Sequence, residues 1–277
     1  RQLEKIIKQF CKQTDTKCTV GADGWMFTLQ KNGKKSFVIG YKFDLNNATS
    51  CMLCDDKSAL SEILKNSDIP CVEHRFIEAP NGYNKTEEQN LKELEAMLNQ
   101  HGELVLKPNI GSGGRSVVRV NDMDTIKLYL SKHLSAKRPV GVCKFEHIKN
   151  EYRIVCLDGK PRLVYRKQRP FVVGDGKNTI EMLVHKTIKG KTDVDSKLDL
   201  NRIPEAGEVV YVSWKHNLGL GASADVKIEK SLKSKLMSLA KRVVKEINIC
   251  FASVDIIELE DDSLKVLEVN SGVMMEK

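Results

Sequence analysis

The sequence predicts an α+β protein made of small α/β units. Apolar runs of strand length recur along the chain and are joined by turn sequences such as Asn32-Gly33 and Asp158-Gly159. Between them lie segments whose apolar residues repeat with helical spacing, as in residues 3–10. The 277 residues contain no internal repeat and are enough to bury a core in one to three compact units.

Composition and charge argue against several classes of protein. Apolar residues make up 41% and charged residues 30%, which is typical of a soluble globular protein. No apolar run reaches the roughly 18 residues of a membrane span, and the first residues lack the pattern of a signal peptide. The net charge of +8 is spread along the chain, and aromatic residues are only 6%. We therefore expect a cytoplasmic protein with neither membrane nor nucleic-acid partners, and keep a nucleic-acid binder as a weaker alternative.

The eight cysteines are expected to be free thiols. The chain is too long and too regular for a disulfide scaffold, and a cytoplasmic protein keeps its thiols reduced. Cys51 and Cys54 form the only CxxC pair, and no second pair with zinc-site spacing follows. We expect these two residues to be small apolar members of a buried strand.

The first two regions precede the main α/β units. Residues 1–50 are predicted to form a helix over 3–10 and then a hairpin of strands at 24–29 and 36–39. Residues 51–99 are predicted to contain a strand, a helix over 57–65, a second strand, a loop and a helix over 87–98.

Two α/β units are predicted in the remainder of the chain. Residues 100–145 form a β-turn-β-α-β unit, in which Asp122 caps the helix. Residues 146–277 form a second unit. Its predicted elements are a hairpin around Asp158-Gly159, a helix capped by Asn178 or Thr179, a long helix over 229–247, and a closing hairpin of strands 252–259 and 264–269.

A glycine-rich turn at 108–114 follows a strand that ends in Lys107. Glycines let backbone N–H groups crowd around an anion, and a lysine adds a mobile positive charge. The pattern of a Walker loop is absent, and a strand rather than a helix follows. The turn is interpreted either as a cover over a nucleotide triphosphate or as an ordinary hairpin loop, and by itself it does not decide between them.

A polar segment at 146–153 connects the two α/β units, where clefts commonly form. A carboxylate there could accept hydrogen bonds from ribose hydroxyls, and the backbone beside it could bind adenine. Arg153 could clamp a phosphate or a carboxylate. A solvated turn of acidic and basic residues is the plainer alternative.

Three oxygen-bearing side chains are candidates for a metal site. Asp255 lies in an apolar strand, where a carboxylate is costly unless it is paired or metal-bound. Glu268 and Asn270 are two residues apart, so they share one face of the next strand, and the hairpin can place Asp255 beside them. Such ligands suit Mg²⁺. The alternative is a buried ion pair between Asp255 and a lysine or arginine.

Two further polar segments are candidates for the substrate side of the site. Residues 166–170 contain Arg166 and Arg169, which could hold an acidic substrate or the transferred phosphoryl group. Residues 215–222 form a glycine-bearing loop that could line the site. His216 within it is expected to be a structural histidine rather than a base.

In this order, the segments resemble the ATP-grasp superfamily, and within it the subgroup of cyanophycin synthetase and the glutathione-synthesising fusion enzymes. The resemblance spans about residues 51–270 and is specific because several short motifs occur in sequence. The matching stretches are 56–57 with 69–70, 107–115, 151–153, 169–170 with 174–180, 254–257 and 267–270. It implies two α/β lobes that hold ATP between antiparallel sheets, with residues 51–99 on the substrate side, 100–145 as the lid and 146–277 as the C-terminal part.

The resemblance also implies roles for individual residues. Three groups are implied: a phosphate-binding set of Lys107, Gly111, Ser112, Gly113 and Gly114; a set for adenine and ribose of Lys144, Phe145, Glu146 and Glu151; and a set facing the acyl phosphate of Arg153, Arg169 and Asn217. Asp255, Glu268 and Asn270 would bind Mg²⁺, which Mn²⁺ could replace.

The expected activity is ATP-dependent joining of a carboxylate to an amine through an acyl phosphate. No convincing Ser/His/Asp or Cys/His set is present, and this chemistry needs no nucleophilic side chain. The expected substrates are amino acids or small peptides. A ligase acting on a peptide or protein tail, like those that add glutamate to a ribosomal protein, and an ATP-binding module without turnover are the alternatives. The substrates, a homodimer and the role of residues 1–50 stay open.

Overall fold

The computed structural model describes residues 2–79, 85–111, 113–188 and 193–274. Within those ranges, seven α-helices pack on four β-sheets. None of the helices there is long and apolar enough to cross a membrane. The predicted α+β class is confirmed, whereas the predicted domain boundaries stay a prediction.

The first region is a helix on a four-stranded antiparallel sheet. Helix α1 (Gln2–Gln13) buries Ile7 and Cys11 against Phe27 and Val38 of the sheet. The predicted hairpin is present, with the turn at Asn32-Gly33. The sheet order is β1 (Lys17–Gly21), β2 (Met26–Lys31), β3 (Lys34–Ile39) and β4 (Lys42–Phe43). The outer strands β1 and β4 were not predicted, because neither has an alternating apolar pattern long enough to indicate a strand.

The expectation that Cys51 and Cys54 lie in a strand is wrong. They lie in helix α2 (Ala48–Asp55), where Cys54 is buried and Cys51 is half-buried. The side chain of Asn47 caps this helix by accepting a hydrogen bond from the backbone N–H of Ser50. A short apolar run does not distinguish a strand from a helix by periodicity. In this segment, the N-cap at Asn47 favours the helix.

A second four-stranded antiparallel sheet has the order β5-β8-β6-β7. Its strands are β5 (Arg75–Ile77), β6 (Leu104–Pro108), β7 (Val118–Val120) and β8 (Val140–Lys144), and helices α4 (Glu87–His101) and α5 (Met123–Leu134) cover one face. The predicted helix cap at Asp122 is confirmed. We call this the lid sheet. Its outer strand β5 comes from the region before residue 100, so the unit is larger in space than the segment 100–145.

A five-stranded sheet with the order β13-β10-β9-β14-β15 forms the centre of the C-terminal part. Its strands are β9 (Ile148–Leu157), β10 (Lys160–Gln168), β13 (Ser223–Asp225), β14 (Phe251–Leu259) and β15 (Leu264–Asn270). One face packs on α7 (Lys230–Glu246) and on α3 (Lys57–Asn66). The predicted long helix and closing hairpin are thereby confirmed. We call this the central sheet.

A small two-stranded ribbon completes the C-terminal part. It consists of β11 (Phe171–Val173) and β12 (Val209–Tyr211), and packs on α6 (Ile180–Thr187). Of the two caps that the sequence allowed for α6, Thr179 is the one that forms: its hydroxyl accepts a hydrogen bond from the N–H of Met182. Asn178 instead hydrogen-bonds to Asp175 in the preceding turn.

The inner faces of the lid sheet and the central sheet are turned toward each other, and we call the region between them the cleft. An apolar cluster, Val72, Val105, Cys143 and Ile257, joins the inner face of the lid sheet to the inner face of the central sheet. Because side chains alternate between the faces of a strand, Lys107 points to the same side as Val105. Polar residues on the inner faces of the two sheets, such as Lys107, therefore point into the region between the sheets.

Candidate active site

Asp255 is fully buried in β14 and bound by two cations. Nε and Nη2 of Arg153 donate to its two carboxylate oxygens at 2.7 and 2.6 Å, and Nζ of Lys167 lies 2.7 Å from Oδ2. Strand register explains this, since Arg153 lies directly opposite Asp255 on β9. Burial alone would raise the pKa of Asp255, but the two cations hold it below its usual range. This is the ion pair that the sequence left open as the alternative to a metal ligand, and the metal role of Asp255 stays a prediction.

Lys167 also binds Glu151, so it bridges two buried carboxylates. Its Nζ lies 2.5 Å from Oε1 of Glu151, and both side chains are less than one-tenth exposed. Burial lowers the pKa of Lys167, but Asp255 and Glu151 together raise it above its usual value. Burial raises the pKa of Glu151, and Lys167 opposes that shift. The carboxylate of Glu151 is thus engaged inside the protein, and its expected contact with ribose stays a prediction.

Glu268 and Asn270 lie on β15 beside this network. Glu268 is directly opposite Asp255 in the strand register, and Asn270 is opposite Ser253. The amide of Asn270 donates to Oε1 of Glu268 at 3.2 Å. Within the described ranges, Glu268 has no cation at ion-pair distance. Its carboxylate is therefore available to a ligand in a way that the carboxylate of Asp255 is not.

The donor set fits a magnesium ion that is shared with a phosphate. Within the described part of the chain, no three His, Cys, Asp or Glu side chains are grouped to hold a metal by themselves. Mg²⁺ in phosphoryl-transfer sites is commonly bound by one or two carboxylates and by the phosphates of the substrate. Glu268 and Asn270 supply oxygens of that kind, and Asp255 adjoins them.

Two lysines place positive charge across the cleft from Glu268. Lys107, at the end of β6, is 7% exposed, and its ammonium has no hydrogen-bond partner among the described residues. Lys57, in the first turn of α3, donates to the carbonyl oxygens of Gly111 and Asn109 at 2.9 and 3.3 Å. Burial lowers the pKa of Lys57, Glu268 raises it and Lys107 lowers it. Two neighbouring lysines with few acidic partners make this corner suited to an anion.

The glycine-rich loop is held against the C-terminal part. Nδ2 of Asn217 donates to the carbonyl oxygen of Gly113 at 2.8 Å, and Nζ of Lys215 donates to Val117 at 2.9 Å. Gly114 has a φ of +68°, and a Cβ there would lie 2.9 Å from Nδ2 of Asn217, so both backbone conformation and space require glycine. Ser112, a predicted phosphate contact, lies outside the described residues.

The three residues expected near adenine lie at the mouth of the cleft. Lys144 ends β8 and is 3.4 Å from Glu146, which also accepts a hydrogen bond from Lys265 at 2.8 Å. Phe145 packs edge-on against Trp214, with ring centroids 5.7 Å apart. The guanidinium of Arg119 lies 3.8 Å from the centroid of the Phe145 ring. The structure thus provides an aromatic and charged margin here, and its contact with adenine stays a prediction.

Arg169 and His216 come from the two segments that the sequence predicts on the substrate side, and the substrate role of Arg169 stays a prediction. Arg169 stacks on Tyr211, with its guanidinium 4.1 Å from the ring centroid. His216 is buried, and burial, Arg169 and Lys167 lower its pKa to about 3. Its Nδ1 is 3.6 Å from Glu151, which is too long for a hydrogen bond. His216 is therefore neutral at physiological pH, as expected for a structural histidine.

Sequence reasoning missed two charged residues of the site, Lys57 and Lys167. Lys57 lies within a stretch that carries the family resemblance, but nothing in its spacing indicates that it reaches the loop after β6. Lys167 alternates with Tyr165 along β10 and therefore shares the polar face of the central sheet. That alternation is the one signal that could have identified Lys167.

Comparison with solved structures shows the fold. The D-alanine–D-alanine ligase of Bacillus anthracis superposes with a TM-score of 0.55 at 18% identity, covering 83% of this chain and 61% of that one. A bifunctional glutathione synthetase from Pasteurella multocida gives 0.56 at 15% identity, covering 96% and 39%. The ATP-grasp ligase PsnB gives 0.51 at 14% identity, covering 84% and 56%. The chain therefore has the ATP-grasp fold.

Comparison of the amino-acid sequence with those of characterised proteins finds similarity to one group of enzymes, the cyanophycin synthetases. No protein-family profile matches the chain. It is 28% identical over 251 residues to the cyanophycin synthetase of Crocosphaera subtropica, covering 81% of this chain and 27% of that protein. Four other cyanophycin synthetases match at 24–26% identity. The chain thus resembles carboxylate–amine ligases of the ATP-grasp type in sequence as well as in fold, and it spans about a quarter of the length of the relatives it matches.

Proposed function

We propose that this chain uses ATP to activate a carboxylate as an acyl phosphate and couples it to the amine of an amino acid or small peptide, releasing ADP and phosphate. One observation supports the proposal: Lys57 lies close enough to both Glu268 and Lys107 for the first to raise its pKa and the second to lower it, and among the described residues neither Lys107 nor Glu268 has an ion-pair partner. Positive charge is needed there for a triphosphate, and oxygen donors are needed for its metal.

Residues at different positions in the cleft would have different roles in the reaction. Lys57 and Lys107 would neutralise the phosphates during in-line transfer, and Arg153 would stabilise charge that develops on the transferred group. The loop held by Asn217 would exclude water, which would otherwise hydrolyse the acyl phosphate. A magnesium ion held by Glu268, Asn270 and Asp255 would supply further charge neutralisation when bound.

A peptide or protein tail is the second candidate for the substrate. The outer face of the N-terminal sheet exposes Met26, Phe37 and Ile39 at 36%, 47% and 54% of their surface. Lys42 of this region lies close to the C-terminal part of the chain. A Cβ at Gly272, two residues after Asn270, would lie 3.4 Å from Cγ of Lys42. An extended peptide on this face could reach the site. One of the solved structures with this fold is the ATP-grasp ligase PsnB in complex with a minimal precursor.

The proposal is tested by measuring ADP and phosphate release across a panel of amino acids and short peptides. We expect release that depends on Mg²⁺, on one acid and on one amine. Glu268→Ala should reduce release at least about a hundredfold because the metal loses its free carboxylate.

Glu260→Ala, in the exposed turn between β14 and β15, is the matched control and should keep full activity. Full activity in Glu268→Ala would remove Glu268 from the site. ATP binding without turnover over the whole panel would favour a non-catalytic module.

A further inference from the structure

A histidine that the proposed mechanism does not use lies beside the two lysines of the cleft. His74 precedes β5, and its backbone N–H donates to the hydroxyl of Ser61 at 3.2 Å. Both ring nitrogens are shielded from solvent and make no hydrogen bond of normal geometry among the described residues, although the backbone of Val72 lies close enough to raise the pKa of the ring. His74 as a whole is half-buried, but polar nitrogens that are shielded from water without a good partner are costly, and an added ligand could satisfy them.

The ring of His74 lies beside Gly141, which is the residue opposite Lys107. Gly141 lies opposite Lys107 in the strand register, on the inner face of the lid sheet. A Cβ at Gly141 would lie 3.8 Å from Cδ2 of His74 and 3.3 Å from Oδ1 of Asn109. Nδ2 of Asn109 is also buried and unpaired, although its Oδ1 accepts two hydrogen bonds from Ser58. Unpaired donors therefore surround Lys107.

The charges that face His74 are all positive in the absence of a ligand. Burial, Lys107 and Lys57 together lower the pKa of His74 well below its usual value, and the nearby backbone of Val72 opposes this only in part. The charged neighbours in sequence are engaged elsewhere, since Glu73 pairs with Lys65 and Arg75 pairs with Glu93. Without an anion the ring is neutral.

We propose that His74 is the third basic group of the phosphate subsite formed by Lys57 and Lys107, and that it takes up a proton when the anion binds. The inference rests on the proposed function, because it assigns a further residue to the same nucleotide site. A phosphate chain placed against the two ammonium groups reverses the local potential and favours the imidazolium. The added N–H can then donate a charge-assisted hydrogen bond to the phosphate or to a water molecule held by it.

The sign of the pH dependence follows from this proton uptake. The complex holds more protons than the separate chain and ligand, so affinity falls as pH rises. Replacement of His74 by an amide of similar length removes the titrating group and keeps a hydrogen-bond donor. The replacement should therefore make the affinity for the anion depend less on pH while leaving the structure unchanged.

The test is calorimetric titration with the β,γ-imido analogue of ATP and Mg²⁺ at pH 7.5, in buffers of low and high ionisation enthalpy. Protons that the nucleotide itself takes up or releases on binding contribute equally in every variant, so they cancel when variants are compared. We expect His74→Gln to lower proton uptake by about half a proton or more and to weaken binding about tenfold. Unchanged uptake in His74→Gln would overturn the inference.

His133→Gln is the matched control. His133 is buried, 5% exposed with an unpaired Nδ1, but it lies in α5 and stacks on Tyr129 away from the cleft. It should bind the analogue with native affinity and proton uptake. Should His74→Gln fail to fold, the NMR titration of the His74 ring protons with and without the analogue gives the answer. A pKa that does not rise on binding contradicts the inference.

Tripolyphosphate separates this inference from the proposed function. It carries the charge of the phosphate chain but lacks adenine and ribose. Binding of tripolyphosphate with His74-dependent proton uptake, in a chain that does not bind the nucleotide analogue, would support the subsite and refute ATP as the ligand. Absence of binding to both would refute both proposals. Binding of both without His74-dependent uptake would refute only the role of His74.

Discussion

Lys167 lies between two carboxylates in the interior, and its own side chain is only 6% exposed. Glu151 and Asp255 face each other across it, so each would repel the other without this ammonium. The guanidinium of Arg153 neutralises only Asp255. At the residue scale, the site is therefore held together by charge pairs, and the pKa of Asp255 lies below its usual range because two cations outweigh the effect of burial.

Lys167→Met is expected to destabilise the fold by about 3–5 kcal/mol, because it leaves two buried carboxylates with one cation between them. The free energy of unfolding from urea titration measures the loss. Lys160→Met, at the exposed start of the same strand, should change stability by less than about 0.5 kcal/mol.

The double variant Lys167→Met with Glu151→Gln should recover part of the loss, because it removes one of the uncompensated charges. Equal stability of Lys167→Met and the native chain would show that the network contributes nothing to the fold.

At the scale of single elements, α3 connects a local cap to the site. Oδ1 of Asp56 caps the helix by accepting from the N–H of Ala59, and Lys57 is the first helical residue. Ser58 and Lys57 then bind Asn109 and Gly111 of the loop that follows β6. The start of this helix thus fixes the position of Lys57, for which we propose phosphate binding, relative to the loop.

Asp56→Ala should cost about 1 kcal/mol of stability and also weaken ATP binding several-fold, because Lys57 loses its fixed position. Thermal unfolding and calorimetric titration measure the two effects. Thr86→Ala removes the capping box of α4, which covers the outer face of the lid sheet, and provides the comparison.

That control should lose similar stability with unchanged affinity for ATP. Equal affinity of Asp56→Ala and Thr86→Ala for ATP would show that the cap of α3 does not position Lys57 for binding.

At the scale of the whole molecule, few apolar residues join the two sheets. Ile257 is fully buried on the inner face of the central sheet and packs with Val105 and Cys143 of the lid sheet. The polar groups of the site lie on the same inner faces. The proposed alignment of Lys57 and Lys107 with Glu268 therefore depends on this apolar contact.

Ile257→Ala is expected to cost about 3 kcal/mol, and Ile257→Val about 1 kcal/mol. Urea unfolding of both variants measures the series, and ATP affinity should fall in the same order. Leu130→Ala, in the separate core between α5 and the lid sheet, should lose comparable stability but bind ATP normally when folded. Equal losses of affinity in Leu130→Ala and Ile257→Ala would show that the inter-sheet contact has no special role.

Sequence alone determined the elements that have a strong local signal. The hairpins at Asn32-Gly33 and Asp158-Gly159, the cap at Asp122 and the long helix α7 follow from turn chemistry and apolar periodicity. The ATP-grasp class followed from several short motifs in a fixed order, each weak by itself. Local interactions within a few residues are sufficient to specify features of this kind.

Only the tertiary structure decided the helix at Cys51 and Cys54, the partners of Asp255 and the place of Lys57, Lys167 and His74. These features depend on residues that are far apart in sequence: Asp255 meets Lys167 across 88 positions, and Ser58 meets Asn109 across 51. Strand order and register bring such groups together, and a single sequence contains no periodic signal for either. The chemistry of the cleft therefore depends on long-range pairing, whereas the elements that form it depend on local preference.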